Sequence, residues 1–233
     1  MHGFLLLEDA NGKVIASGDQ TYVARGNLVT SRTIFRFRDG SVDDEECVFR
    51  QKTTFHLIRD HHIQKGPSYP DPIDVTIDVA KGQVSWTSLS DKDHQPKSQH
   101  LKLPADLANG MVPLLIENLP HSTTGLTVPY LAVDSRPRIV KLTITLDGSD
   151  NVLLGPDRRQ ADRFLIHPEI GGVAGLLAPL LGKKPPDMRV WIVGGAVPVF
   201  IRMDGPLYEQ GPTWTILLAA PTWPSGNPNA RAG

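Results

Sequence analysis

Apolar and polar positions alternate along much of the chain, and that alternation predicts its elements. Ile73, Val75, Ile77 and Val79 fall on one face of a strand whose other face carries Asp74, Thr76 and Asp78. The turn Ala80-Lys81-Gly82-Gln83 leads into a second strand bearing Val84 and Trp86. Val140, Leu142, Ile144 and Leu146 repeat the pattern in a strand predicted to end at Asp147-Gly148. Trp214, Ile216, Leu218 and Ala220 repeat it again. One-sided alternation of this kind predicts a sheet with one buried and one wetted side.

Asp39-Gly40 marks a hairpin. A two-residue turn there would pair Arg38 with Ser41 and Arg36 with Asp43, setting opposite charges across from each other. The returning strand is long, running through Val48-Phe49 and on from Thr54 to His62, and its apolar phase shifts near Cys47, where a bulge is predicted. Two segments depart from alternation. From Pro104 to Asn118, the spacing of Leu107, Met111, Leu114 and Leu115 predicts a helix starting near Pro104 and kinked or divided by Pro113. Residues 170–182 are apolar and rich in Gly and Pro, and they predict either a hinged lid or a plug. About a dozen strands in meander order must curl to bury one face. The expected fold is therefore mostly β with minor α. It is a large curved antiparallel sheet, barrel or half-barrel, with one or two short helices on its concave side. One domain is expected over 1–222, with a disordered tail over 223–233.

Composition narrows the function. The 233 residues carry a formal net charge of −1 with no basic cluster, so the long-range attraction that nucleic acid needs is missing. No apolar run is long enough to span a bilayer, and the opening Met1-His2-Gly3 leads into apolar residues and acids, unlike a secretory signal. Cys47 is the sole cysteine, and the acids just before it should raise its pKa and blunt it as a nucleophile. No nucleophile elbow, phosphate loop, dinucleotide fingerprint or paired-cysteine zinc motif is present, and no cofactor is expected.

Three features carry candidate chemistry. Strand alternation puts His56, Asp60 and His62 on one face, two imidazoles and a carboxylate that could act as acid and base or hold a divalent metal. The plainer reading makes them part of a solvated face with Arg50, Lys52 and Thr54, because their spacing matches no metal motif. The acidic run Asp43-Asp44-Glu45-Glu46 is split between two faces and reads as a solvated hairpin. The third feature is apolar. Leu176, Leu177 and Leu180 of the 170–182 segment, with Trp191, Phe200 and Trp214 from the strands after it, would line a cavity for a lipid or other apolar molecule.

Several stretches resemble a family of uncharacterised exported bacterial proteins. They are Phe37 to Ser41 with Asp44-Glu45, Asp60 to Pro67, Leu107 to Gly110, and Gly171 to Gly175 with Pro185 to Asp187. The resemblance implies a periplasmic or extracellular location and transfers no catalytic residue. At the level of architecture, the chain is similar to the lipoprotein-carrier folds of the LolA and LolB type, in which a curved sheet encloses an apolar cavity. The leading expectation is thus an exported binding protein for an apolar small molecule. The alternative is an exported hydrolase or lyase working through His56, Asp60 and His62. A partner-binding module is the third reading.

Overall fold

In the computed structural model, which describes residues 2–90, 95–119, 123, 125–133, 136–154, 157–169, 185–195 and 197–219, fourteen strands form one antiparallel sheet. The first half comprises β1 (His2–Glu8), β2 (Val14–Arg25), β3 (Leu28–Phe37), β4 (Val42–Gln51), β5 (Phe55–Lys65), β6 (Ile73–Asp78), β7 (Gln83–Ser88) and β8 (Lys97–His100). After a short helix, α1 (Val112–Glu117), come β9 (Gly125–Val133), β10 (Pro137–Leu154), β11 (Asp157–Glu169), β12 (Met188–Val193), β13 (Val199–Gly205) and β14 (Trp214–Leu218). Each strand pairs with its sequence neighbour, except that β1 pairs with β14 and no ladder joins β8 to β9. The sheet is therefore two meanders, β1–β8 and β9–β14, joined side by side and left open.

The predicted alternation holds where it is cleanest. Val75 and Ile77 on β6, Val84 and Trp86 on β7, Leu142 and Ile144 on β10, and Trp214 and Ile216 on β14 are all buried on the concave side. Three local expectations are corrected. The hairpin after β3 has a three-residue loop, with Phe37 N–H bonded to the Ser41 carbonyl (2.9 Å) and Gly40 at φ +88°. Phe35 rather than Arg36 therefore faces Asp43. β10 does not stop at Asp147-Gly148 but passes a bulge there and runs on to Leu154. Pro113 opens the helix rather than dividing it, because a proline in the first turn forgoes no helical hydrogen bond. The preceding residues, from Pro104 to Met111, are turns and irregular backbone.

That turn segment crosses the concave face and meets β9. Leu107 and Met111 pack with Cys47, Phe49 and Leu131, while Ala108 and Ile116 pack with Leu5, Phe35 and Ile144. Asn109 acts as a stand-in strand. Its side-chain N–H donates to the Leu131 carbonyl (2.9 Å) and its carbonyl accepts from Leu131 N–H (2.8 Å). Ala108 N–H donates to the Pro129 carbonyl (2.9 Å), and Pro129 itself fits an edge strand because it has no N–H to satisfy. Replacing Asn109 by Ala would leave two buried backbone groups unpaired. We expect a loss of roughly 2–3 kcal/mol in urea unfolding, and a loss within error would show that Asn109 does not secure this edge.

Candidate functional site

The site grows from the inward row of β2 to β5. Register places Tyr22 beside Ser31, Ser31 beside Cys47 and Cys47 beside Asp60. The next row is Gln20, Thr33, Glu45 and His62, and the one after it is Gly18, Phe35, Asp43 and Gln64. The curved sheet thus buries a polar island four strands wide, flanked on β6 and β7 by Val75, Ile77, Val84 and Trp86.

Asp43 is the hub of that island. Its Oδ1 accepts from His62 Nε2 (3.0 Å), and its Oδ2 accepts from Gln64 Nε2 (2.8 Å) and the Tyr69 hydroxyl (2.8 Å). Gln64 also donates to the Leu207 carbonyl (2.7 Å), and Tyr69 meets Phe37, Tyr208 and Trp214 edge to face. Because Nε2 must carry a proton to donate to a carboxylate, Nδ1 is the nitrogen at which His62 titrates.

Burial acts on His62, Glu45, Asp60 and Cys47. It pushes His62 down, but the Asp43 carboxylate outweighs it, by its field and then its hydrogen bond, with help from Glu45 and Asp60, and lifts the imidazole to about 10. Burial holds Glu45 above the ordinary carboxyl value, with His62 opposing and Asp43 adding to the rise. Asp60 rises well above it for the same first reason and then because of Glu45. Burial, followed by Glu45 and Asp60, also raises the Cys47 thiol, so it is a poor nucleophile.

These shifts fix a pH dependence. Glu45, Asp60 and His62 all bind protons more tightly in the folded chain, so their contribution is fullest at low pH and is lost as pH rises. For His62 the loss begins above 6.5 and runs to about 10. Asp44 works in the opposite sense: its hydrogen bond from Arg32 lowers its pKa, and its contribution is lost as pH falls through that lowered value. Stability should therefore peak on the acid side of neutrality. Between pH 6.5 and about 8, His62 alone should cost roughly 2 kcal/mol, or several degrees in Tm. Thermal melts across that range test this, and a flat profile would refute the assigned coupling of His62 to Asp43.

Beside the island lies a cavity of about 340 Å³. Asp43, Glu45, His62, Tyr22, Tyr130 and Arg138 form its polar end. The rest of the lining is apolar, formed by Leu5 of β1 and by Val140, Leu142, Ile166, Met188, Phe200, Met203 and Ile216 from strands across the seam. Pro168, Pro185 and Pro186 also line it.

Of the expected site residues, the structure brings Asp60 and His62 into the island but not His56. The run read from the sequence as one strand is two, β4 and β5, paired antiparallel, and the irregularity expected near Cys47 lies at the Val48/Phe49 step of their pairing, with the extra residue on β5. Val48 pairs with Arg59 and Phe49 with Leu57, so Ile58 is an extra residue on β5 and the alternation resets. His56 consequently lies on the exposed face, with Nδ1 3.1 Å from the Ala105 carbonyl and Nε2 2.9 Å from Thr54 Oγ1. Phe200 lines the cavity. Trp214 is buried and does not line the cavity; its ring meets Tyr208 edge to face and lies tilted against Phe37. Trp191 does not line the cavity. Its neighbours Val190 and Ile192 take the inward positions, and its indole donates to Asp150 (2.7 Å) under the Arg202 guanidinium. Leu176, Leu177, Leu180 and Ala220, with the rest of 170–182 and the tail from 223, lie outside the described residues.

Asp43 and Glu45, read from the sequence as solvated, instead belong to the island. Their phase was the available signal: they share strand parity with Cys47 and Phe49, both buried. Among the described residues, no group of three His, Cys, Asp or Glu side chains is arranged to hold a metal. Nor is any helix among them long and apolar enough to cross a membrane. No protein-family model, curated protein or solved structure matches this chain.

Proposed function

We propose that the protein binds an apolar or amphipathic small molecule, a lipid by chemical class, inside the curved sheet, as an exported carrier or receptor. One observation carries this reading: a 340 Å³ cavity with an apolar wall on one side and a single buried polar island on the other. That volume falls within the range of small-molecule sites, and the two-sided lining suits a ligand with one polar end. The large apolar side chains of β10 to β14 surround this space without filling it.

Native mass spectrometry of protein purified gently from its own host tests the reading. A non-covalent organic adduct is expected, and Met203→Trp, which projects an indole into the cavity, should abolish it while the fold survives. A bare polypeptide mass, together with no uptake of the apolar dye N-phenyl-1-naphthylamine, would defeat it.

One observation favours a second reading, an enzyme acting through His62. Asp43 holds that imidazole in a fixed tautomer, as an orienting carboxylate does in acid–base catalysis. At neutral pH the raised pKa leaves the ring protonated and unable to act as a base, which is why binding is the stronger proposal. The enzyme reading predicts that the bound molecule is consumed and that His62→Ala stops its consumption.

A further inference from the structure

The polar end of the cavity has more negative than positive groups, and its groups differ in how fully they are used. Asp43 is saturated by three donors, and its charge is matched by His62. Arg138, at the same cavity, is 3.2 Å from Glu209. Glu45 lines the cavity with no hydrogen-bond partner among the described residues. Behind it, Asp60 is 2% exposed and its Oδ1 is the one buried side-chain polar atom among the described residues that lacks a partner. That oxygen points at Gly110, a lining residue: a Cβ built there would sit 3.0 Å from it. A buried, unpartnered carboxyl is costly unless something balances it. Tyr130 lines the same end of the cavity and presents an aromatic ring there.

We infer that this site takes a cation: the ligand is an amphipathic amine, its ammonium group against the Glu45 carboxylate and the Tyr130 ring, its hydrocarbon tail along Leu142, Ile166 and Phe200. This rests on the cavity-binding reading and adds the charge of the polar end. A fatty carboxylate fits poorly, because it would enter a site where His62 is already neutralised and the Glu45 carboxyl faces it. A fatty alcohol could hydrogen-bond but would leave the surplus acid unbalanced. An ammonium supplies the missing charge, and a tyrosine face adds a cation–π contact.

Displacement of N-phenyl-1-naphthylamine by dodecylamine, dodecanol and dodecanoate near neutral pH decides between these. The amine should displace the dye at a concentration about tenfold or more below that of either rival. Glu45→Gln should remove most of that preference. Equal displacement by all three, or a preference for dodecanoate, would overturn the cation assignment and leave the cavity reading standing. No dye uptake and no displacement would overturn both. Because the comparison is made on the unaltered protein, it holds even if Glu45→Gln does not fold.

Discussion

Replacing Asp43 by Ala should cost about 3–5 kcal/mol in urea unfolding, the range found when a buried charge pair loses one member. The residue is 7% exposed and its carboxylate accepts three hydrogen bonds, so its loss strands an imidazolium, an amide and a phenol at once. Damage should also spread beyond β4. Gln64 ties β5 to the Leu207 carbonyl, and Tyr69 ties the 66–69 turn to Tyr208 and Trp214. Tryptophan fluorescence from Trp214 should therefore shift in the folded variant. Asp43→Asn keeps one acceptor and should lose roughly half as much. A loss below about 1 kcal/mol for Asp43→Ala would mean that the hub is dispensable.

Gly110→Ala should be nearly as damaging, at roughly 2–4 kcal/mol, for two separable reasons. Gly110 sits at φ +66°, a left-handed conformation that side chains disfavour. A Cβ there would lie 2.7 Å from Cys47 Cβ and 3.0 Å from Cys47 Sγ and Asp60 Oδ1. Gly26 separates the two causes. Its φ is +62°, yet nothing lies within 4 Å of its would-be Cβ, so Gly26→Ala carries the backbone penalty alone, about 1 kcal/mol. Thermal or urea unfolding of both variants isolates the crowding. Equal losses would show that the close approach of 110 to β4 and β5 contributes nothing.

The architecture was legible because alternation is a local signal repeated many times. Ile73 to Val79 or Val140 to Ile144 declare their buried face within a single strand, and a run of such strands can only form a large curled sheet. Register was legible to within one residue. The Asp39-Gly40 hairpin was recognisable, but composition does not separate a two-residue from a three-residue loop, and that difference moved Asp43 from Arg36 to Phe35. The polar island was half legible. The shared face of Asp60 and His62 could be read from the strand, but the bulge at Ile58 that turns His56 away could not, and the inward placement of that face depends on β2 to β7 curling around 104–119. Tyr69, Gln64 and Asn109 left no trace in the pattern. Their roles arise from contacts that bridge 26, 21 and 22 residues of chain.

The side-by-side joining of β1 to β14 also dictates the order in which the molecule can be assembled. Each meander consists of hairpins between neighbours in sequence, which zip early at little entropic cost. The seam closes across the whole chain, pairing Leu5 with Leu218 and Leu7 with Ile216. On the ribosome, β1 must therefore wait with its outer edge unpaired until β14 has been synthesised. Its inward Leu5 and Leu7, fully covered in the finished sheet, stand at an open ladder during that interval. A nascent chain arrested before residue 214 would present two unpaired apolar edges, β1 and β13, each able to recruit the other from a second chain.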